Sequence, residues 1–156
     1  MADFNDMSWH DNLIYGLHFQ CAEPDRNIWR SNLVLDIDHI IEWVKGPQGQ
    51  MNFRVAPATL IFHDVRDFSA QISHKTDGRE YSLSELSVGN ISREPLNPVP
   101  KPMVLEYKWI IELNSPNGGQ IKFKGIGFSQ VLREPPQLVE QQHLRASTRA
   151  VFVLPE

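Results

Sequence analysis

Alternation with a period of two dominates this chain, and it restricts the fold more than any other feature. Leu13, Tyr15, Leu17, Phe19 and Cys21 fall on one side; Asn12, Ile14, Gly16, His18 and Gln20 fall on the other. Successive strand side chains point to opposite faces, so this is the pattern of a strand with one strongly apolar face. The pattern returns in Leu33, Leu35, Ile37, His39 and Ile41, interleaved with Val34, Asp36, Asp38, Ile40 and Glu42. Gly46-Pro47-Gln48-Gly49 then turns the chain. A third strand is expected through Phe53 and Val55 to Phe62. Pro57 lacks the N–H that a ladder uses, which predicts an edge or a bulge there. His63-Asp64 marks a corner, and a fourth strand is expected from about Val65 to His74.

The second half carries the same period. Lys75-Thr76-Asp77-Gly78 has the Asp-Gly turn signature. Tyr81 to Val88 reads as a short helix capped by Ser82 or as a short strand. Arg93 to Pro102 holds Pro95, Pro98, Pro100 and Pro102, too many for a helix, and predicts an extended crossover. Leu105 to Leu113 alternates strictly, turns at Ser115-Pro116-Asn117-Gly118-Gly119, and returns from Ile121 to Leu132 with a bend at Gly125 and Gly127. Leu138 to Leu144 reads as one or two helical turns, and Ala150 to Leu154 as a last strand or an arm.

Six or seven strands, little helix and frequent turns predict a mainly β fold, an antiparallel β-sandwich or a barrel with at most one or two short helices. The 156 residues fit one domain, residues 1–156, with a C-terminal arm from about residue 137. Apolar residues make up 41% of the chain and supply its core. Cys21 is the only cysteine, so no intrachain disulfide and no thiolate metal cluster is expected. The start is acidic and polar, unlike a secretory signal, and the longest apolar run, Ala150 to Leu154, cannot span a bilayer. A cytoplasmic location and no membrane partner are expected. The 15 basic residues are scattered against 19 acidic ones, net charge −4. Nonspecific nucleic-acid binding draws on clustered cations, so no nucleic-acid partner is expected.

Three stretches carry a resemblance: Ser8-Trp9-His10-Asp11-Asn12-Leu13-Ile14-Tyr15-Gly16-Leu17, Leu33 to Trp43, and Pro57-Ala58-Thr59-Leu60-Ile61-Phe62-His63-Asp64-Val65. With Gly127 to Leu132 they resemble a small group of uncharacterised bacterial all-β proteins, a domain of unknown function, and that resemblance implies no activity. The aromatic-His-Asp strand start is also similar to that of some β-rich immunity proteins of bacterial toxin systems.

Two constellations are candidates for chemistry. Trp9-His10-Asp11 and Phe62-His63-Asp64 echo one another at two strand starts. Imidazole with carboxylate suits a divalent metal or acid–base work. Adjacent strand residues face opposite ways, so a metal would need His10 and His63 brought together from the two corners. The plainer reading has Asp11 and Asp64 capping backbone N–H groups. Asp36 and Asp38 share a strand face about 7 Å apart. That suits a cation or two-carboxylate hydrolysis; the plainer reading is a solvated face with Leu33, Leu35 and Ile37 inward. His39 falls on the apolar side, where a hydrogen-bonded core role is expected. Trp9 and Trp29 lie beside loops and are candidates for an exposed contact, while Trp109 is expected in the core.

No motif reaches catalytic specificity, and no cofactor is expected. The function expected is a noncatalytic binding domain with a protein partner, of the immunity kind, with binding residues Trp9, His10, Asp11, Trp29, Asp36, Asp38, His63 and Asp64. The alternatives are a metal-assisted hydrolase at the His-Asp corners and a carrier of a small apolar ligand. Segment 150–154 is too apolar to leave bare, so it is expected to pair with a sheet edge in its own chain or in a homodimer.

Overall fold

The structure is a computed structural model and describes residues 3–73, 75–76, 79–80, 85–96 and 104–155. Its strands are β1 (Leu13–Gln20), β2 (Asn32–Lys45), β3 (Met51–His63), β4 (Arg66–Gln71), β5 (Lys75–Thr76), β6 (Arg79–Glu80), β7 (Leu86–Pro95), β8 (Tyr107–Ser115), β9 (Gln120–Gly125), β10 (Gly127–Leu132) and β11 (Gln137–Val139). Among the described residues the helical elements are short 3-10 turns at Phe4–Asp6, Pro24–Arg26 and Ala146–Thr148. The fold is therefore mainly β and antiparallel, as the alternation predicts. Among the described residues no helix is long and apolar enough to cross a membrane.

Nine strands form one open sheet in the order β10-β3-β2-β1-β7-β8-β9-β4, with β11 also on β3. β5 pairs with β6 apart from it, and the Asp77-Gly78 turn between them lies outside the described residues. The centre of the sheet is thin: β1 and β7 pair only at Leu13 with Ser87 and Ile14 with Leu86. There the sheet folds over, so that β2 and β3 face β7, β8 and β9. Leu33, Leu35, Ile37, Leu60 and Phe62 from one half meet Ile91, Trp109, Ile111, Ile121 and Phe123 from the other in a single core. Trp109 is the hub, with ring contacts to Phe4, Phe62, Tyr107, Phe123 and Phe128.

The two ends of the sheet come together at one seam. β3 lies near one end and β4 at the other, yet only Asp64 and Val65 separate them. β9 and β10 likewise lie at opposite ends with Ile126 alone between them. These crossings touch: Ile126 N donates to His63 O at 3.0 Å. A Cβ on Gly125 would sit 2.9 Å from that same carbonyl, so the approach requires glycine. Ile121 to Leu132 is thus two strands at opposite ends of the sheet and not one bent strand.

Other expectations are corrected. β1 carries a bulge between Ile14 and Gly16, which moves every later residue to the other face. Ile14 and Leu17 therefore both pack on the core, while Tyr15 is exposed on the outer face. For Tyr81 to Val88 the strand alternative holds where the chain is described: Leu86 to Val88 belongs to β7, while residues 81–84 and 97–103 lie outside the described residues. Leu138 lies in β11 and not in a helical turn. Pro57 sits inside the sheet. Its carbonyl accepts from Arg133 N at 2.8 Å, so its missing N–H faces the break between β10 and β11, where no ladder bond is lost.

Candidate functional site

The outer face of β1, β2 and β3 carries a second, polar centre. Asp36 and Asp38 point away from the core, as alternation requires, but they are 5% and 0% exposed. The solvated-face expectation fails because the chain after β10 runs back over them. Asp36 Oδ1 accepts from Arg133 Nη2 at 2.7 Å and from Arg149 Nη2, and Asp36 Oδ2 accepts from Arg149 Nη1 at 3.1 Å. Asp38 Oδ1 accepts from Arg149 Nε at 2.8 Å. Asp38 Oδ2 accepts from the Leu144 amide at 2.8 Å and the Tyr15 hydroxyl at 3.1 Å. Two carboxylates face two guanidiniums, so the cluster is neutral and every carboxylate oxygen is occupied.

The electrostatics follow from that packing. Burial opposes the charge on Arg149, but its hydrogen bonds to Asp36 and Asp38 outweigh this and raise the guanidinium above its ordinary value. Burial, followed by the Asp38 carboxylate, raises the Tyr15 phenol. Arg149 also stacks over the Tyr15 ring, 3.9 Å from its centroid. Both carboxylates are buried and already neutralised by guanidiniums, so a cation or a sugar would have to displace Arg149 to reach them.

The covering segment is held largely through side chains. Leu144 and Val139 pack on Ile40, Phe53 and Val55 as a small second core. Phe152 stacks on His18 with centroids 4.8 Å apart, and Arg133 Cζ lies 5.4 Å from the centroid of the Phe152 ring. Gln142 donates to Asp11, and Gln20 donates to the Pro155 carbonyl. Residues 150–154 form an arm and not a strand, and they pair with no sheet edge of their own chain; Val151 and Val153 stay 83% and 73% exposed. Between this segment and the β1–β7 fold-over lies a cleft of about 730 Å³, lined by Leu13, Leu86, Leu144, Ala150 and Val151 with Tyr15, Glu85 and Arg149 among the polar groups.

Beside this centre lies a buried neutral pair. Asn12 Oδ1 accepts from Ile40 N at 3.1 Å, which leaves the Asn12 amide nitrogen to donate to His39 Nδ1 at 2.9 Å. Burial pulls the His39 pKa down from 6.5 to about 4. The folded state therefore binds this proton less readily than the unfolded chain. The stability contributed by neutral His39 is complete above about pH 6.5 and is lost as pH falls towards 4. The full difference is about 3 kcal/mol. Denaturant midpoints measured across that window should show His39→Gln losing less stability on acidification than the parent chain; parallel pH profiles would show that His39 is not responsible.

The remaining candidates fall into separate places. His10 Nδ1 lies 3.1 Å from Asp11, whose carboxylate accepts from Asn114 at 2.6 Å and Gln142 at 2.9 Å. His63 Nε2 shares a 2.9 Å hydrogen bond with Ser129, and burial, followed by the Arg30 charge, lowers its pKa. The two corners do share a conformation: Asp11 and Asp64 have φ of 63° and 54°, and Trp9 and Phe62 are both buried. Aspartate tolerates that left-handed backbone, which accounts for the echoed motif locally. Among the described residues no three His, Cys, Asp or Glu side chains converge to hold a metal; His10 is paired with Asp11 and His63 with Ser129. Trp9 is buried and donates to Gln130 at 2.8 Å, so it is not an exposed contact. Trp29 is 70% exposed, tied to Asn27. Cys21 lies past the end of β1 and is exposed, not on an apolar face.

Sequence reasoning missed Tyr15, Arg133 and Arg149 as members of the polar centre, and the Ser129–His63 pair. No family model matches the chain, and neither the curated proteins nor the solved structures contain a significant match to it.

Proposed function

We propose that this chain is a noncatalytic protein-binding domain of the immunity kind, which meets its partner at the rim of the outer-face cleft. One observation carries the reading. The chain's best-placed carboxylates, Asp36 and Asp38, are consumed by Arg133, Arg149, Tyr15 and the Leu144 amide, while Val151 stands bare at the cleft and Val153 is bare two residues further on. Buried charge is thus used for architecture and exposed apolar surface is left for contact. The test is a photo-cross-linker at position 153 in the full chain. A stoichiometric protein partner is expected, and Val151→Asp/Val153→Asp should lose it without loss of folding. Absence of any partner, together with turnover of a substrate unaffected by those substitutions, overturns the reading.

The cleft itself favours a second reading, a carrier of a small apolar ligand. The space between the two halves of the sheet is filled by Trp109, Phe62 and Phe123, so such a ligand would bind on the outer face. Organic extraction of the purified chain followed by mass spectrometry separates the readings: a stoichiometric small molecule favours the carrier.

A further inference from the structure

We propose that the outer face of β1–β3 is a receptor for an arginine-bearing segment, filled in one molecule by its own C-terminal segment and open to the same segment of a second copy. The inference does not depend on the proposed function.

The receptor is built. Asp38 is fully buried and Asp36 nearly so, and together they grip all three nitrogens of one guanidinium against the Tyr15 ring. Three residues further on, Phe152 lies on the His18 imidazole and near Arg133. The recognised pattern is therefore Arg-x-x-Phe. Bidentate carboxylates and an aromatic face select guanidinium over ammonium, because only the planar fork fits both.

The ligand is detachable. From Arg149 to Pro155 no described residue belongs to a strand or helix, and none makes a backbone–backbone hydrogen bond. Leu144 is the last residue packed in a core, against Ile40, Phe53 and Val55, and its amide bonds to Asp38; beyond it the segment is held through side chains, chiefly Arg149. Residues beyond it can leave without opening either core, and segments with few backbone bonds open well below the global cost. An empty receptor, however, would hold two carboxylates against the single guanidinium of Arg133, an unfavourable imbalance. Opening is therefore coupled to refilling. The segment already known to complement the receptor is present on every other copy, which is the condition for exchange of identical elements.

The test mixes two full-length variants. Arg149→Ala/Phe152→Ala keeps the receptor and spoils the segment, whereas Asp36→Asn/Asp38→Asn keeps the segment and spoils the receptor. Native mass spectrometry should find each alone monomeric and a one-to-one heterodimer in the mixture. Two folded monomers that never pair overturn the proposal. If either variant fails to fold, a fluorescent peptide of residues 145–156 is titrated against the unmodified chain. Saturable binding, weakened at least tenfold by Arg149→Ala in the peptide, supports the receptor. No binding, or equal binding of both peptides, overturns it.

Discussion

Arg149→Ala should lower the free energy of unfolding by about 3–5 kcal/mol, among the largest losses any single side chain in this protein can cause. The argument is one of stranded charge. Asp36 keeps Arg133, but Asp38 is fully buried and would retain only the Leu144 amide and the Tyr15 hydroxyl as donors. A buried carboxylate without its cation bears its desolvation cost uncompensated. Exposed pairs provide the control: Arg26 with Glu23 and Arg54 with Glu42 are solvated, and Arg26→Ala or Arg54→Ala should each cost no more than about 1 kcal/mol. Urea denaturation measures all three. A loss at Arg149 as small as at Arg26 would mean that water reaches Asp38. The double variant Asp38→Asn/Arg149→Gln should recover part of the loss, since it removes the stranded charge along with its partner.

Trp109→Ala should cost about 3–5 kcal/mol by a different mechanism, loss of contact and an unfilled cavity. Trp109 is fully buried between the two halves of the sheet and touches rings from the N-terminal turn, β3, β8, β9 and β10. Its Nε1 also donates to Gly125 O at 3.3 Å, beside the seam. Trp109→Phe keeps the ring but leaves that carbonyl without its indole donor, so it should cost less than half as much. Equilibrium unfolding of both variants checks the order; equal losses would show that a phenyl ring recovers none of the indole's packing or hydrogen bonding at this position.

The strands were legible because a period of two follows from covalent geometry. Leu33, Leu35 and Ile37 point inward and Trp109 is core, as alternation alone requires. Faces were legible only up to the first irregularity. The bulge after Ile14 has no residue signature of its own, so alternation alone puts Leu17 on the face of Leu13 and not with Ile14. The polar centre was half visible: the spacing of Asp36 and Asp38 is written in β2, but what covers them is not. Arg133 and Arg149 stand 97 and 113 residues from Asp36, and no local pattern announces so distant a partner. Position 9 shows the converse error. Trp9 sits beside a loop in sequence, but the left-handed turn at Asp11 lets β1 begin with that indole already inside.

The distance between Asp38 and Arg149 along the chain also orders the protein's synthesis. A ribosome makes both carboxylates more than a hundred residues before the guanidinium that neutralises them. Until then the emerging chain can assemble its hairpins and bury Trp109, yet its outer face carries carboxylates that lack their full complement of cations. Arrival of Arg149 supplies the last of them, so the polar centre is completed only after the strands that carry it.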